Sequence, residues 1–166
     1  MALASRRAAA DANLDRLTRM ARTDSDFGIF VEGLARNIDQ SVEPGRPGYG
    51  ANIGGVRIGA ERRFGDAILA GVSLGFVEGG INQQAVDFDF TAVQFDLYGR
   101  YTFGRSFADL TFGYDTTDYD NFQRFLNLGP INNTGSTGGH SLSIAGRVGQ
   151  SFDIRNATIT PAIKLG

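Results

Sequence analysis

The stretch from Phe90 to Asp115, FTAVQFDLYGRYTFGRSFADLTFGYD, changes polarity at every second residue on both sides of Gly104-Arg105. A period of two places neighbouring side chains on opposite faces of a strand. Thr91, Val93, Phe95, Leu97, Gly99 and Tyr101 share one face; Ala92, Gln94, Asp96, Tyr98, Arg100 and Thr102 share the other. After the break, Ala108, Leu110, Phe112 and Tyr114 stand opposite Asp109, Thr111, Gly113 and Asp115. Two strands joined by a tight turn are therefore expected here.

The pattern recurs along most of the chain. Ile68, Ala70, Val72, Leu74 and Phe76 alternate with small residues such as Gly71, Ser73 and Gly75. Val56, Ile58 and Ala60 oppose Arg57, Glu61 and Arg63. Leu142, Ile144, Val148 and Phe152 oppose Ser141, Ser143, Arg147 and Ser151. Ala157, Ile159, Pro161, Ile163 and Leu165 oppose Asn156, Thr158, Thr160 and Lys164. A first strand from Phe27 to about Arg36 alternates weakly. Seven strands of about 10–14 residues follow, against about 5–6 in a usual soluble strand and about 9–11 for a tilted membrane crossing. The predicted connections alternate in length. Long ones fall at about 38–49, at GGINQQAVD and at about 117–139; tight ones fall at Gly65-Asp66, Gly104-Arg105 and near Ile154-Arg155. Short turns at one end and long loops at the other are the layout of an outer-membrane barrel.

In such a barrel the usual polarity is turned inside out. Val93, Phe95, Leu97, Leu110, Phe112 and Tyr114 are expected to face lipid. Arg57, Glu61, Gln94, Asp96, Arg100, Asp109, Thr111 and Arg147 are expected to line the lumen. Strand pairing satisfies every backbone group inside hydrocarbon. Tyr98, Tyr101, Phe103 and Phe107 gather near Gly104 and are expected to form an aromatic girdle at the interface.

Residues 3 to about 23 have the composition of a helix. Leu3, Ala10, Leu14, Leu17 and Ala21 make a thin apolar stripe among Arg6, Arg7, Arg16, Arg19, Arg22, Asp11 and Asp15. A stripe this narrow suits polar surroundings. The chain divides into a linker and plug helix, 1–25, and a barrel region, 26–166. The fold class is all-β, an antiparallel transmembrane β-barrel meander with an N-terminal helix in the lumen.

Net charge is −2 over 166 residues, without the basic field of a nucleic-acid binder. With no cysteine there is neither a disulfide framework nor a thiolate metal site. No apolar run reaches the roughly 18 residues of a membrane helix, and the N-terminus lacks the apolar core of a secretory leader. If the protein works outside the cytoplasm, its export signal is expected to have been lost or to lie upstream. No cofactor is expected.

The motifs FGIFVEGLARNID, GAERRFG, LYGRYTFG and GHSLS…TITP, in this order after a mixed helix, resemble the translocator domain of autotransporters (type V secretion). The resemblance spans nearly the whole chain. It implies a barrel of about twelve strands in the bacterial outer membrane, with a helix in the pore. That helix tethers an upstream, covalently linked passenger carried to the cell surface. Implied partners are outer-membrane lipid, the barrel-assembly machinery and periplasmic chaperones; nucleic acid is not among them. Seven strands then make up the first part of such a barrel. About five more, with the terminal aromatic read during assembly, are expected to follow. The resemblance assigns no enzyme activity. Alternatives are a small porin-like or eight-stranded barrel, a lipid A deacylase-like barrel enzyme, and a soluble lipocalin-like barrel.

Candidate chemistry is sparse. His140 and Ser143 could serve as base and nucleophile, but parity sends them to opposite faces. Asp115, Asp118 and Asp120 could bind a cation, although the spacing lacks the Gly and final Glu of a calcium loop. Family resemblance raises self-cleavage at Asn13, an idea weighed against a plain polar helix position. YGANIGGVRIG lacks the spacing of a nucleotide-binding loop. The helix arginines are expected to meet lumen carboxylates and so hold the helix in the pore, and reversing the charge of Asp96 and Asp109 together is expected to free it and raise channel conductance.

Overall fold

Two glycines define one end of the sheet. Gly65 and Gly104 have φ of +60° and +63°, the left-handed region that a residue without Cβ enters at no steric cost. Each closes a tight hairpin: β2 (Tyr49–Phe64) with β3 (Ile68–Gln83), and β4 (Val86–Phe103) with β5 (Ser106–Arg124). The computed structural model describes residues 2–21, 25–41, 48–83, 86–124, 135–154 and 157–166. The remaining elements are α1 (Ala2–Met20), β1 (Phe27–Gln40), β6 (Thr137–Gln150), β7 (Phe152–Ile154), β8 (Ala157–Ile159) and β9 (Ala162–Leu165).

Seven strands form one antiparallel meander in the order β1-β2-β3-β4-β5-β6-β9. It is curled into a half-barrel. The short pair β7-β8 makes a second sheet.

Several sequence expectations are corrected. The strands are longer than predicted: β3, β4 and β5 have 16, 18 and 19 residues. Most of GGINQQAVD is strand, with only residues 84–85 between β3 and β4, so the strict alternation of long and short connections fails. Polar residues replacing apolar ones predict a loop there, yet pairing continues past that point, with a register shift between Asp87 and Asp89. The seventh strand is not continuous either. It splits into β8 and β9 around Thr160-Pro161, where proline has no N–H for a ladder. Its residue Asn156, the turn residue Arg155, the helix residue Arg22, and 42–47 and 125–134 of the long connections lie outside the described residues. So do the side chains of Leu3, Arg6 and Arg7.

Across the middle of the sheet polarity is inverted. Asp96 is 2% exposed while its neighbour Phe95 is 41% exposed. On the concave side Glu61, Ser73, Gln94, Asp96, Arg100, Asp109 and Thr111 are buried. On the convex side Val56, Ile58, Val72, Leu74, Phe76, Val93, Leu97, Leu110, Phe112 and Ile144 are exposed. Along β4 the exposed apolar residues run from Val93 to Phe103. Ten steps of about 3.3 Å, tilted by about 40°, give a band about 25 Å tall.

Beyond that band, away from the tight turns, ordinary polarity returns. Glu78, Asp89, Asp118 and Asp120 are exposed. On the inner side Ile53, Val77, Phe88, Phe90 and Tyr119 line a cavity of about 560 Å³ together with Ala9 and Ala12 of α1. Period-two reading detects the strand on either side of this change but not the exchange of faces.

Aromatic rings cross the inner face over glycines. Phe30 is paired with Gly59 and Tyr98 with Gly71. A Cβ on Gly59 would lie 2.4 Å from the Phe30 ring, and one on Gly71 would lie 2.5 Å from the Tyr98 ring. This corrects the expected girdle. Tyr98 and Phe107 are buried, at 2% and 8%. Only Tyr101 and Phe103 stand outside, with ring centres 5.8 Å apart.

Candidate functional site

The helix lies against the concave face. Its thin stripe does more than suit polar surroundings: Leu14, Leu17 and Met20 pack with Phe30, Leu69 and Tyr98 as a small buried cluster. The rest of the contact is polar and falls into two groups.

On one side stands Arg16. It donates through Nε and Nη2 to both carboxylate oxygens of Glu61, at 2.8 and 3.1 Å, and through Nη1 to Glu32 at 2.7 Å. Its guanidinium carbon lies 3.3 Å from the centre of the Phe30 ring, a cation–π contact. The Tyr98 hydroxyl donates to Glu61 at 3.0 Å. Arg57 donates to Glu32 at 2.5 Å and to Asn13 Oδ1 at 2.6 Å. Asn13 Nδ2 donates to Thr111 Oγ1 at 3.4 Å, so the fully buried amide is held from β2 and from β5.

On the other side the sheet supplies the cations. Arg147 donates to the Leu14 carbonyl at 2.5 Å, to Thr18 Oγ1 at 2.8 Å and to Asp109 at 2.7 Å. Arg100 forks onto the same Asp109 carboxylate at 2.6 and 2.9 Å and reaches Thr18 at 3.3 Å. Thr18 donates back to Leu14 O at 3.2 Å, leaving its hydroxyl oxygen to accept from both arginines. Arg147 and Phe107 face the same side, and the Arg100 guanidinium lies 4.2 Å from the Phe107 ring centre. At the helix C-terminus Arg63 donates to Met20 O at 2.8 Å, placing a cation where the helix dipole favours one. Lys164 of β9 pairs with Asp11.

All eight residues expected in the lumen therefore lie on the concave face. Arg57, Glu61, Arg100, Asp109, Thr111 and Arg147 belong to the two groups just described. Gln94 and Asp96 are buried on the same face, and Ser73 donates to Asp96 at 3.2 Å. All six expected lipid-facing residues lie exposed on the convex face. The expected meeting of a helix arginine with concave-face carboxylates occurs at Arg16, whose partners are Glu61 and Glu32. Asp109, one of the two carboxylates expected to hold the helix, is instead held by the sheet's own Arg100 and Arg147. Sequence reading missed Glu32, Phe30, Tyr98 and Thr18. A lone Glu in the apolar run FVEGL was the signal for Glu32; parity with Asp96 and Arg100 was the signal for Tyr98.

The other candidates are not brought together. His140 is exposed on the convex face, while Ser143 on the concave face donates to Gly113 O at 3.5 Å. Asp115 is buried and Asp118 and Asp120 are exposed, so no shared cation site forms. Among the described residues no group of three or more His, Cys, Asp or Glu converges on a metal position. YGANIGGVRIG is the first part of strand β2. No helix among the described residues is long and apolar enough to cross a membrane.

A family model described as the autotransporter β-domain matches residues 29–166. The chain belongs to that family. Autotransporter β-domains are outer-membrane β-barrels, and they are typically non-enzymatic. The comparison with curated proteins finds no match. Among solved structures, the translocator domain of the autotransporter NalP from Neisseria meningitidis is similar with a TM-score of 0.70 and 13% identity, over 95% of this chain and 56% of that one. The β-domain of the Bordetella autotransporter BrkA is similar with a TM-score of 0.65 and 16% identity, over 84% of this chain and 56% of that one. The autotransporter fold is thus shared, and the chain spans about half the length of either solved domain.

Proposed function

We propose that this chain supplies the pore helix and first wall of a translocator that anchors an N-terminal passenger and exports it to the cell surface. Residues 1–25 act as linker and plug, and residues 26–166 as wall. Val93, Phe95, Leu97, Leu110, Phe112 and Tyr114 face acyl chains, and Arg57, Glu61, Gln94, Asp96, Arg100, Asp109, Thr111 and Arg147 line the lumen. The tight turns at Gly65 and Gly104 lie on the periplasmic side. The helix C-terminus lies there too, so a passenger upstream of Ala2 leaves from the opposite, outer mouth. Outer-membrane lipid, the assembly machinery and periplasmic chaperones are the other partners. The chain's own work is mechanical, not catalytic.

One observation carries this reading: a helix clamped by charge on the concave face of a sheet whose convex face is apolar. A soluble domain has no use for that arrangement, whereas a water-filled pore in lipid requires it. Buried ion pairs give little net stability over apolar packing, but they penalise misregister heavily, because a shifted helix strands charges without partners. The clamp therefore fixes the depth and rotation of the tether.

The test is surface display. An epitope placed before Ala2 in the chain expressed with an export signal is expected to bind antibody on intact cells. An inserted barrel whose epitope stays in the periplasm would overturn the proposal.

A further inference from the structure

The motif GAERRFG distributes its charges to both faces of β2. Glu61 takes Arg16 and Tyr98, and Arg63 caps the helix at Met20. Arg62, between them, points outward and is exposed. The translocator reading gives it no task. Phe27 is directly opposite on β1 and Ala70 on β3, with Gly99 the next residue across. The guanidinium carbon lies 5.3 Å from the ring centre of Phe64. Phe27, Phe64, Ile68, Tyr101 and Phe103 are exposed large apolar residues at this end of the sheet. Among the described residues Arg62 has no carboxylate within ion-pair distance.

A guanidinium on such a face needs an anion that comes with the lipid. Its planar fork matches two oxygens of a phosphate. Its stem can lie along apolar surface while the head reaches the interface, and the flanking ring adds a cation–π contact. Ala70 and Gly99 leave low ground beside it, bounded by the exposed Val72 and Leu97 on one side and Ile68 and Tyr101 on the other. We propose that Arg62, Phe64 and the low ground at Ala70 and Gly99 form a site for the phosphate of an anionic glycerophospholipid in the leaflet nearest the tight turns. The site rests on the reading of the convex face as lipid-facing.

The test uses the full chain in phosphatidylcholine vesicles carrying a minority of phosphatidylglycerol, followed by gentle detergent extraction and native mass spectrometry of retained lipid. The unsubstituted chain is expected to retain phosphatidylglycerol preferentially. Arg62→Ala and Arg62→Gln should each lower that retention about tenfold, with Arg62→Lys between, because a point charge replaces a fork. Arg105→Ala, at the exposed turn after Gly104, should leave retention unchanged. Equal retention by Arg62→Ala, or an equal loss in Arg105→Ala, would overturn the site while leaving the translocator reading intact. Failure of the unsubstituted chain to co-float with pure phosphatidylcholine vesicles would remove the lipid-facing reading, and the site with it.

Discussion

Arg57 on β2 donates to the side-chain oxygen of Asn13 on the helix at 2.6 Å, and Asn13 is fully buried. A wall residue thus reads a single helix position. Replacing Asn13 by Ala leaves a guanidinium N–H without its acceptor, a loss of about 1–3 kcal/mol. Because the chain has no native cysteine, an Ala10→Cys background provides a single buried thiol on the helix. Maleimide labelling of that thiol should accelerate about 5- to 150-fold when Asn13→Ala is added, if labelling follows local opening. Asn13→Asp keeps an acceptor facing Arg57 and should label near the starting rate.

Arg16 is the stronger latch, because it joins the helix to both Glu32 and Glu61 by short ion pairs, at 2.7 and 2.8 Å, whereas Arg19 reaches Glu32 only at 3.6 Å. Arg16→Ala leaves Glu61, which is 3% exposed, with the Tyr98 hydroxyl but without its cation. Removing one partner of a buried pair costs on the order of 3 kcal/mol. The expected result is higher and noisier single-channel conductance in the assembled barrel. Reversing the charge of Asp109 should also raise conductance by an indirect route: it releases Arg100 and Arg147, and with them Thr18. Conductance unchanged in both variants would show that the clamp does not hold the helix in place.

Gly71→Ala places a methyl group 2.5 Å from the Tyr98 ring. That ring is fixed by packing and by its hydroxyl bond to Glu61, so overpacking should cost about 1–3 kcal/mol. The temperature at which the folded barrel loses its compact gel mobility is the readout, and it should fall. Adding Tyr98→Leu removes the collision and should recover part of the loss, an interaction between the two sites that a double-mutant cycle measures.

Much of this architecture was legible because strand periodicity is local. Val93, Phe95, Leu97, Leu110, Phe112 and Tyr114 reveal their face by spacing alone, as do Asp96, Arg100 and Asp109 opposite them. The sequence was less informative wherever a position's partner decides its meaning. Tyr98 and Phe107 share the aromatic composition of an interfacial girdle, but Gly71 and Gly149 opposite them leave space for rings on the inner side. Glu32 lay in the weakly alternating first strand, and Arg16 selects it through three-dimensional proximity that no spacing rule encodes. Strand ends were misplaced for a further reason: polarity changes faces above the apolar band, and periodicity cannot distinguish a loop from a strand that has left the membrane.

Leu97→Arg separates lipid from water on the convex face. Leu97 is 49% exposed, and in water an exposed substitution usually stays within about 0.5 kcal/mol. Facing the bilayer midplane it should cost about 2–4 kcal/mol, read as a lower folded fraction in vesicles across a urea series. The same change at Asp118, above the band, should be near neutral. Equal, small effects at both positions would point to a water-facing surface.

With the tight turns on the periplasmic side, as proposed, the continuation of β3, β4 and β5 past the apolar band changes what an antibody or a phage would meet there. Glu78 is paired with Thr91, Thr91 with Asp118, and Asp89 with Asp120. An antibody against this rim would bind carboxylates contributed by three adjacent strands, a surface that exists only while they remain paired. A synthetic peptide copied from any one strand would present a fraction of that epitope, so immunogens for this part of the chain should preserve the sheet.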